Sequence, residues 1–439
     1  MTSDPELRTA RLRRAAIAIA VVLALVAVPV VVWRLSGDDP VVDPAAPASP
    51  STAATGGPDK TATRSAQGTA VVQALVSAIG TEGADIDRLA APGDNRARDQ
   101  LRGIAEASRA LGIQGWNGRF VTDDPSLRTH DARTWVGHAE FSAEVPGRGP
   151  LRFETALRIV ETVDGPRFAG SGATAVEGEK VGAAPAWWNE PLRVRREGRV
   201  TVLAPAAAAA KNLVAQSKRA LRQVDAVLPG WKGRLVVELP VNQATTENAL
   251  DAAPGSYAGI AAVTTRPVGV QAESEAAYVL LNPPVWGGLG PRAAQVVLTH
   301  EAVHVARGAT RTPAPLWVVE GVADYVALRD GGVPARRAAA RFLDKVRDQG
   351  LPRRLPTEED FDARRQGLGA TYESAWLACR LIAQTYGERR LLRFADALDD
   401  GMSLERAFRS ELRTTKRAFV QDWRAHLARL AGIERGRVS

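Results

Sequence analysis

The segment Val296–Gly308, VVLTHEAVHVARG, constrains this chain more than any other. It holds His300 and His304, two of the five histidines in 439 residues, with Glu301 directly after the first. Residues four apart come within reach of each other on an α-helix, whereas on a strand they lie about 13 Å apart. The neighbours Thr299, Ala302, Val303 and Val305 carry no charge, as a buried helix requires. Pro291 suits the first helical position, and Gly308 is a natural C-terminal stop. Two imidazoles one turn apart can grip a single metal ion. Glu301, rotated about 100° from His300, can reach a water at that ion without ligating it.

A hydrolytic metal site needs a third protein ligand, and the segment Pro315–Gly332, PLWVVEGVADYVALRDGG, offers one. It reads as a helix closed by Gly331 and Gly332, with Glu320 and Asp324 one turn apart on the same face. Glu320 is the candidate third ligand. Asp324 is then free to accept a hydrogen bond from the outer nitrogen of a ligating histidine, fixing its tautomer. The competing reading, a solvated acidic face, sits badly with Trp317, Val318, Val319, Val322 and Tyr325, among which unpaired carboxylates would be costly. The single cysteine, Cys379, excludes a disulfide within the chain and an all-cysteine metal site. Its setting, WLACRLIA, is that of a small buried residue.

The pair THEAVH…PLWVVEGVADY resembles the gluzincin metallopeptidases, most closely the bacterial peptidase-MA-like domains. The resemblance covers the core of residues 187–432. It implies one Zn2+ held by His300, His304 and Glu320, with Glu301 as general base and Asp324 supporting a histidine, His300 before His304. It also implies an α+β, thermolysin-like fold with a mixed sheet, an active-site helix and a C-terminal helical lobe. The strand AAYVLLN, Ala276–Asn282, is placed by the same resemblance to pair with an extended substrate. HEAVHVARGAT lacks the glycine and third histidine of the metzincins. The closing helices of the family begin Tyr-x-x-Ser, and here Tyr372 and Ser374 depart from that spacing by one. Tyr372 is the candidate oxyanion donor, with a packing role as the alternative. The reading is peptide hydrolysis by a zinc-activated water, acting on a peptide or protein substrate. The aminopeptidase signature G-x-M-E-N is absent, which points to an endopeptidase. A tethered binding or sensing module with a structural metal is the alternative, against which the presence of Glu301 weighs. Hydrolysis of a non-peptide bond stays open.

The nineteen uncharged residues Ala15–Trp33 are long enough to cross a bilayer. Arg8, Arg11, Arg13 and Arg14 precede them and Asp38, Asp39 and Asp43 follow, which predicts a cytoplasmic N-terminus. A cleaved signal peptide competes, but its apolar stretch is normally shorter. The expected layout is a cytoplasmic tail (1–14), a transmembrane anchor (15–34) and a disordered Pro/Ala/Ser/Thr tether (35–67). The location implied is a single-pass cell-membrane protein with an extracytoplasmic catalytic domain.

Residues 68–183 read as a small α+β domain, two helical stretches and then an antiparallel meander, compatible with a cone-shaped fold like that of nuclear transport factors. His130 and His138 lie here without carboxylates at ligand spacing and read as solvated or packed. The net charge of +8 is spread along the chain, with no arginine stripe or nucleic-acid motif, so no nucleic-acid partner is expected. The final helix, TTKRAFVQDWRAHLARLAG, is amphipathic and places His426 on its surface.

Overall fold

The computed structural model describes residues 60–127, 131, 133–145, 149–172, 183–266, 277–362 and 367–433. Two helices, α1 (Lys60–Gly80) and α2 (Asn95–Leu111), precede four strands. The first residues of α1, up to 67, come from the stretch expected as tether. The Asp94 side chain accepts the Ala97 N–H at the start of α2, and Gly112 ends the helix in the left-handed region at φ 72°. The strands β1 (Gln114–Asp123), β2 (Thr134–Val145), β3 (Gly149–Thr162) and β4 (Gly165–Ser171) form an antiparallel meander in chain order. In β2, Ala139, Phe141, Ala143 and Val145 are buried while Glu140 and Glu144 are exposed, the period of two that a half-covered sheet imposes. His138 sits on the other face of β2, with Nε2 3.1 Å from Asp124 and Nδ1 3.5 Å from Glu154. His130 lies outside the described residues.

The short helix α3 (Ala186–Asn189) drives Trp187 and Trp188 under this sheet. The Trp188 ring lies 4.5 Å from Phe141 and 4.9 Å from Phe153. The second sheet follows, with β5 (Arg193–Glu197), β6 (Val200–Ala204), β7 (Leu235–Glu238), β8 (Ala262–Thr265) and β9 (Tyr278–Leu281). Its spatial order is β5-β6-β7-β9-β8. The central pairs β6–β7 and β7–β9 are parallel and the outer two antiparallel. A long helix, α4 (Ala207–Val227), makes the crossover from β6 to β7. A shorter one, α5 (Gln243–Ala249), follows β7.

Both faces of this sheet are covered. Val202, Val237, Val279 and Leu281 face the helices that follow. Leu203, Val236, Tyr278 and Leu280 face the first sheet and share one apolar cluster with Trp187, Trp188, Phe141 and Leu151. Burial on both sides explains why YVLL reads as an unbroken apolar run and VTVLA as one interrupted only by the buried Thr201.

The remaining chain is helical: α6 (Pro283–Gly287), α7 (Pro291–Arg307), α8 (Leu316–Leu328), α9 (Ala335–Ala338), α10 (Ala340–Gln349), α11 (Leu368–Tyr386), α12 (Glu388–Asp399), α13 (Leu404–Ser410) and α14 (Lys416–Ala431). Gly321 permits one close contact among these helices, between α8 and α11. A Cβ there would lie 2.6 Å from the Ala375 carbonyl oxygen and 2.6 Å from Cys379 Sγ, so α8 and α11 can touch only because that atom is missing. Cys379 is buried.

The structure corrects four expectations. Strand Ala276–Asn282 does not lie at the sheet edge; β9 is hydrogen-bonded on both sides, to β7 and to β8, and has no free edge for a substrate. His426 is half-buried rather than on the surface, with Nε2 shut away from solvent. The expected fold class included a transmembrane helix, yet the described chain is α+β with one antiparallel and one mixed sheet, and none of its helices is long and apolar enough to cross a membrane. The single-pass membrane location loses its support for the same reason; residues 15–34, on which it rested, lie outside the described residues.

A candidate metal centre

The centre is built by two helices and one strand. Helix α7 starts with Pro291 at its first turn and ends at Gly308, φ 64°, so its last three turns run unbroken through His300, Glu301 and His304. Its last turn is fixed from outside. Arg307 donates from Nη1 to Asp396 at 2.9 Å and pairs also with Asp399, both on α12. Helix α8 brings Glu320 and Asp324 against this face.

Three donor atoms converge. Nε2 of His300 and Nε2 of His304 are 2.9 Å apart, and Oε2 of Glu320 is 3.2 Å from each. The two rings stand nearly perpendicular, at 86°. All three residues are buried, and they are the one group of three such donors among the described residues that could hold a metal ion. Asp324 Oδ1 lies 2.8 Å from His300 Nδ1. That contact leaves the lone pair of His300 on Nε2, the atom that faces Glu320 and His304.

These residues fit a small divalent ion. A triangle with those sides has a circumradius of about 1.8 Å, so a point just off its plane lies at the ~2.0–2.1 Å bonding distance of zinc from all three donors. The charge balance points the same way. Glu301, Glu320 and Asp324 are fully buried, two imidazoles pair with Glu320 and Asp324, and among the described residues no Lys or Arg joins the three carboxylates. Glu301 Oε1, Glu320 Oε1 and Asp324 Oδ2 are buried without a hydrogen-bond partner, a costly arrangement for an acidic cluster with no cation.

Burial works against charge on His300, but the Asp324 and Glu320 carboxylates hold its imidazole well above the ordinary value. Burial pushes Glu301 and Asp324 up against the pull of the imidazoles. In Glu320 the same burial is outweighed by His304 and His300, and its carboxyl is held down. Tyr372, on α11, is wholly buried with its ring 5.3 Å from Phe361. Burial, with Glu320, Asp324 and Glu301 nearby, raises its phenol far above the usual range.

Two contributors lie outside the residues given a role from the sequence. Thr264, on β8, donates its hydroxyl to Oε2 of Glu301 at 2.6 Å. Gly321, inside the Glu320–Asp324 stretch, sets how closely α11 approaches. A threonine in VTT is ordinary in a linear reading, and Gly321, though it stands in the stretch that carries the resemblance, shows its packing role only when distant elements pair.

No match is found among curated proteins. Residues 290–349 match the BSP family, described as peptidase of plants and bacteria. That span contains α7 with His300, Glu301 and His304, and α8 with Glu320 and Asp324, so the part of the chain that carries the metal-competent cluster is peptidase-like.

Proposed function

We propose that this protein is a zinc-dependent peptidase of the gluzincin kind, cutting within peptide or protein chains. The observation that carries the reading is the buried His300–His304–Glu320 triangle with a further carboxylate, Glu301, beside it on the helix of the two histidines. A nitrogen, nitrogen, oxygen donor set of this size suits zinc. Zinc bound there would supply Lewis acidity, acidifying a water and polarising the scissile carbonyl.

Each residue has a distinct task in this reading. His300, His304 and Glu320 hold the ion, and Asp324 keeps His300 in the tautomer that can do so. Oε1 of Glu301 takes the proton of the attacking water and returns it to the leaving amine. Tyr372 is the proposed donor to the developing oxyanion. An extended substrate adds to the outer side of β8, which has no strand partner among the described residues, rather than to β9.

The test is metal analysis of the full chain, followed by cleavage of a quenched-fluorescence peptide library with and without chelator. One zinc per chain and chelator-sensitive cleavage are expected, with Glu301→Gln binding zinc but losing at least about a hundredfold in kcat. Cleavage by the Glu301→Gln variant at the wild-type rate, or a zinc-loaded wild type that cleaves nothing, sinks the reading.

A further inference from the structure

The two oxygens of the Glu301 carboxylate are in unlike surroundings. Oε2 accepts the Thr264 hydroxyl at 2.6 Å, while Oε1 is buried with no hydrogen-bond partner. Thr264 is itself buried, and its hydroxyl also lies 3.1 Å from the backbone carbonyl oxygen of Glu301. The threonine therefore touches both ends of one residue, its main chain and its carboxylate. A glutamate side chain turns about three bonds, and a proton-transferring group must be held within a fraction of an ångström of its working place. Thr264 provides the one side-chain hydrogen bond to that carboxylate among the described residues.

We propose that Thr264 is a positioning residue for Glu301: its hydroxyl ties Oε2 to β8 and so leaves Oε1 as the oxygen that takes the proton of the water and returns it to the leaving amine. The proposal rests on the peptidase reading above and adds to it a role for the edge strand. Thr264 pairs with Val279 of β9 on one side, and on the other side β8 carries no strand among the described residues. A single four-residue strand thus aligns an added chain through its backbone and orients the base through its side chain. The strand that aligns the scissile bond is thereby also the one that holds the carboxylate reaching over from α7.

The experiment compares Thr264→Val, which keeps the shape and loses the hydroxyl, with Thr264→Ser, which keeps the hydroxyl. Each full-length variant is measured for kcat and KM on peptides that the wild type cleaves and for zinc affinity by chelator competition. For Thr264→Val a fall of about 30- to 100-fold in kcat is expected, with KM and zinc affinity within about threefold of wild type. Thr264→Ser should restore kcat to within about fivefold. If the valine variant does not fold, Thr264→Ala replaces it in the same comparison. A hydroxyl-free variant with wild-type kcat, a serine variant as slow as it, or loss of zinc along with activity overturns the positioning role while leaving the peptidase reading intact. A zinc-loaded wild type without activity overturns both.

Discussion

Glu238, at the end of β7, should make the stability of this protein fall as pH rises through neutrality. Its carboxyl is buried between the two sheets, beside a cavity of about 40 Å3 whose walls include Leu111, Val145, Leu151, Trp187 and Tyr278. Oε1 accepts the Trp187 N–H at 2.7 Å. Burial, with Glu190 nearby and only that N–H opposing, pushes the carboxyl up to about 8, from 4.5 in an ordinary glutamate. The folded protein therefore keeps a proton that the unfolded chain gives up, and the stabilising contribution is complete below pH 4.5 and gone above about 8. At about 1.4 kcal/mol per pH unit, the difference of 8 from 4.5 amounts to roughly 5 kcal/mol. Glu238→Gln keeps the acceptor for Trp187, cannot ionise, and can place its amide toward a cavity with room for water. Urea unfolding of wild type and variant from about pH 5 to pH 9 gives the two stability curves, and their difference cancels most other titrations. The variant should match or trail the wild type near pH 5 and gain on it by several kcal/mol by about pH 9. A difference that stays flat across this range would falsify the assignment of a buried, neutral carboxyl to this position.

Two further predictions concern the metal centre. Asp324→Asn removes the charged acceptor 2.8 Å from His300 Nδ1, and should weaken zinc binding by about 10- to 100-fold in chelator competition, with the melting temperature of the zinc-free protein changing little by comparison. Gly321→Ala puts a methyl group 2.6 Å from a backbone oxygen of α11, which cannot yield as a side-chain tip would. It should cost about 1–3 kcal/mol or more in denaturant unfolding, and removing the Cys379 sulfur as well should recover only part of that, because the Ala375 carbonyl stays in place.

Local chemistry was legible in the sequence where one element settles the question. The i, i+4 histidines, Pro291 and Gly308 define α7 by themselves, and the carboxylates of Glu320 and Asp324 stand out because their neighbours are apolar. The alternation in β2 likewise marks a half-covered sheet. What stayed hidden depends on pairing between distant segments. YVLL and AVTT are both four-residue strands, and although AVTT is the more polar, neither states which strands it pairs with or whether it has a free edge. The family resemblance puts the substrate strand on YVLL, and only the strand order shows that both its edges are taken. His426 is an instance on a helix: the α14 pattern gives the central apolar stripe of Phe419, Trp423 and Leu427, but how far neighbouring helices reach around its flank is not written in α14.

The apolar cluster between the sheets bears on how the protein can be made. Leu203, Val236, Tyr278 and Leu280 present an apolar patch that only Trp188, Phe141, Leu151 and their neighbours cover. A fragment beginning near residue 190 would contain every group of the metal centre and still leave this patch facing water, a surface prone to self-association. On the ribosome the order is favourable, since the antiparallel sheet emerges first and stands ready as the template on which the mixed sheet closes. The antiparallel sheet, made first, stays in place after folding as one wall of the core that the mixed sheet closes.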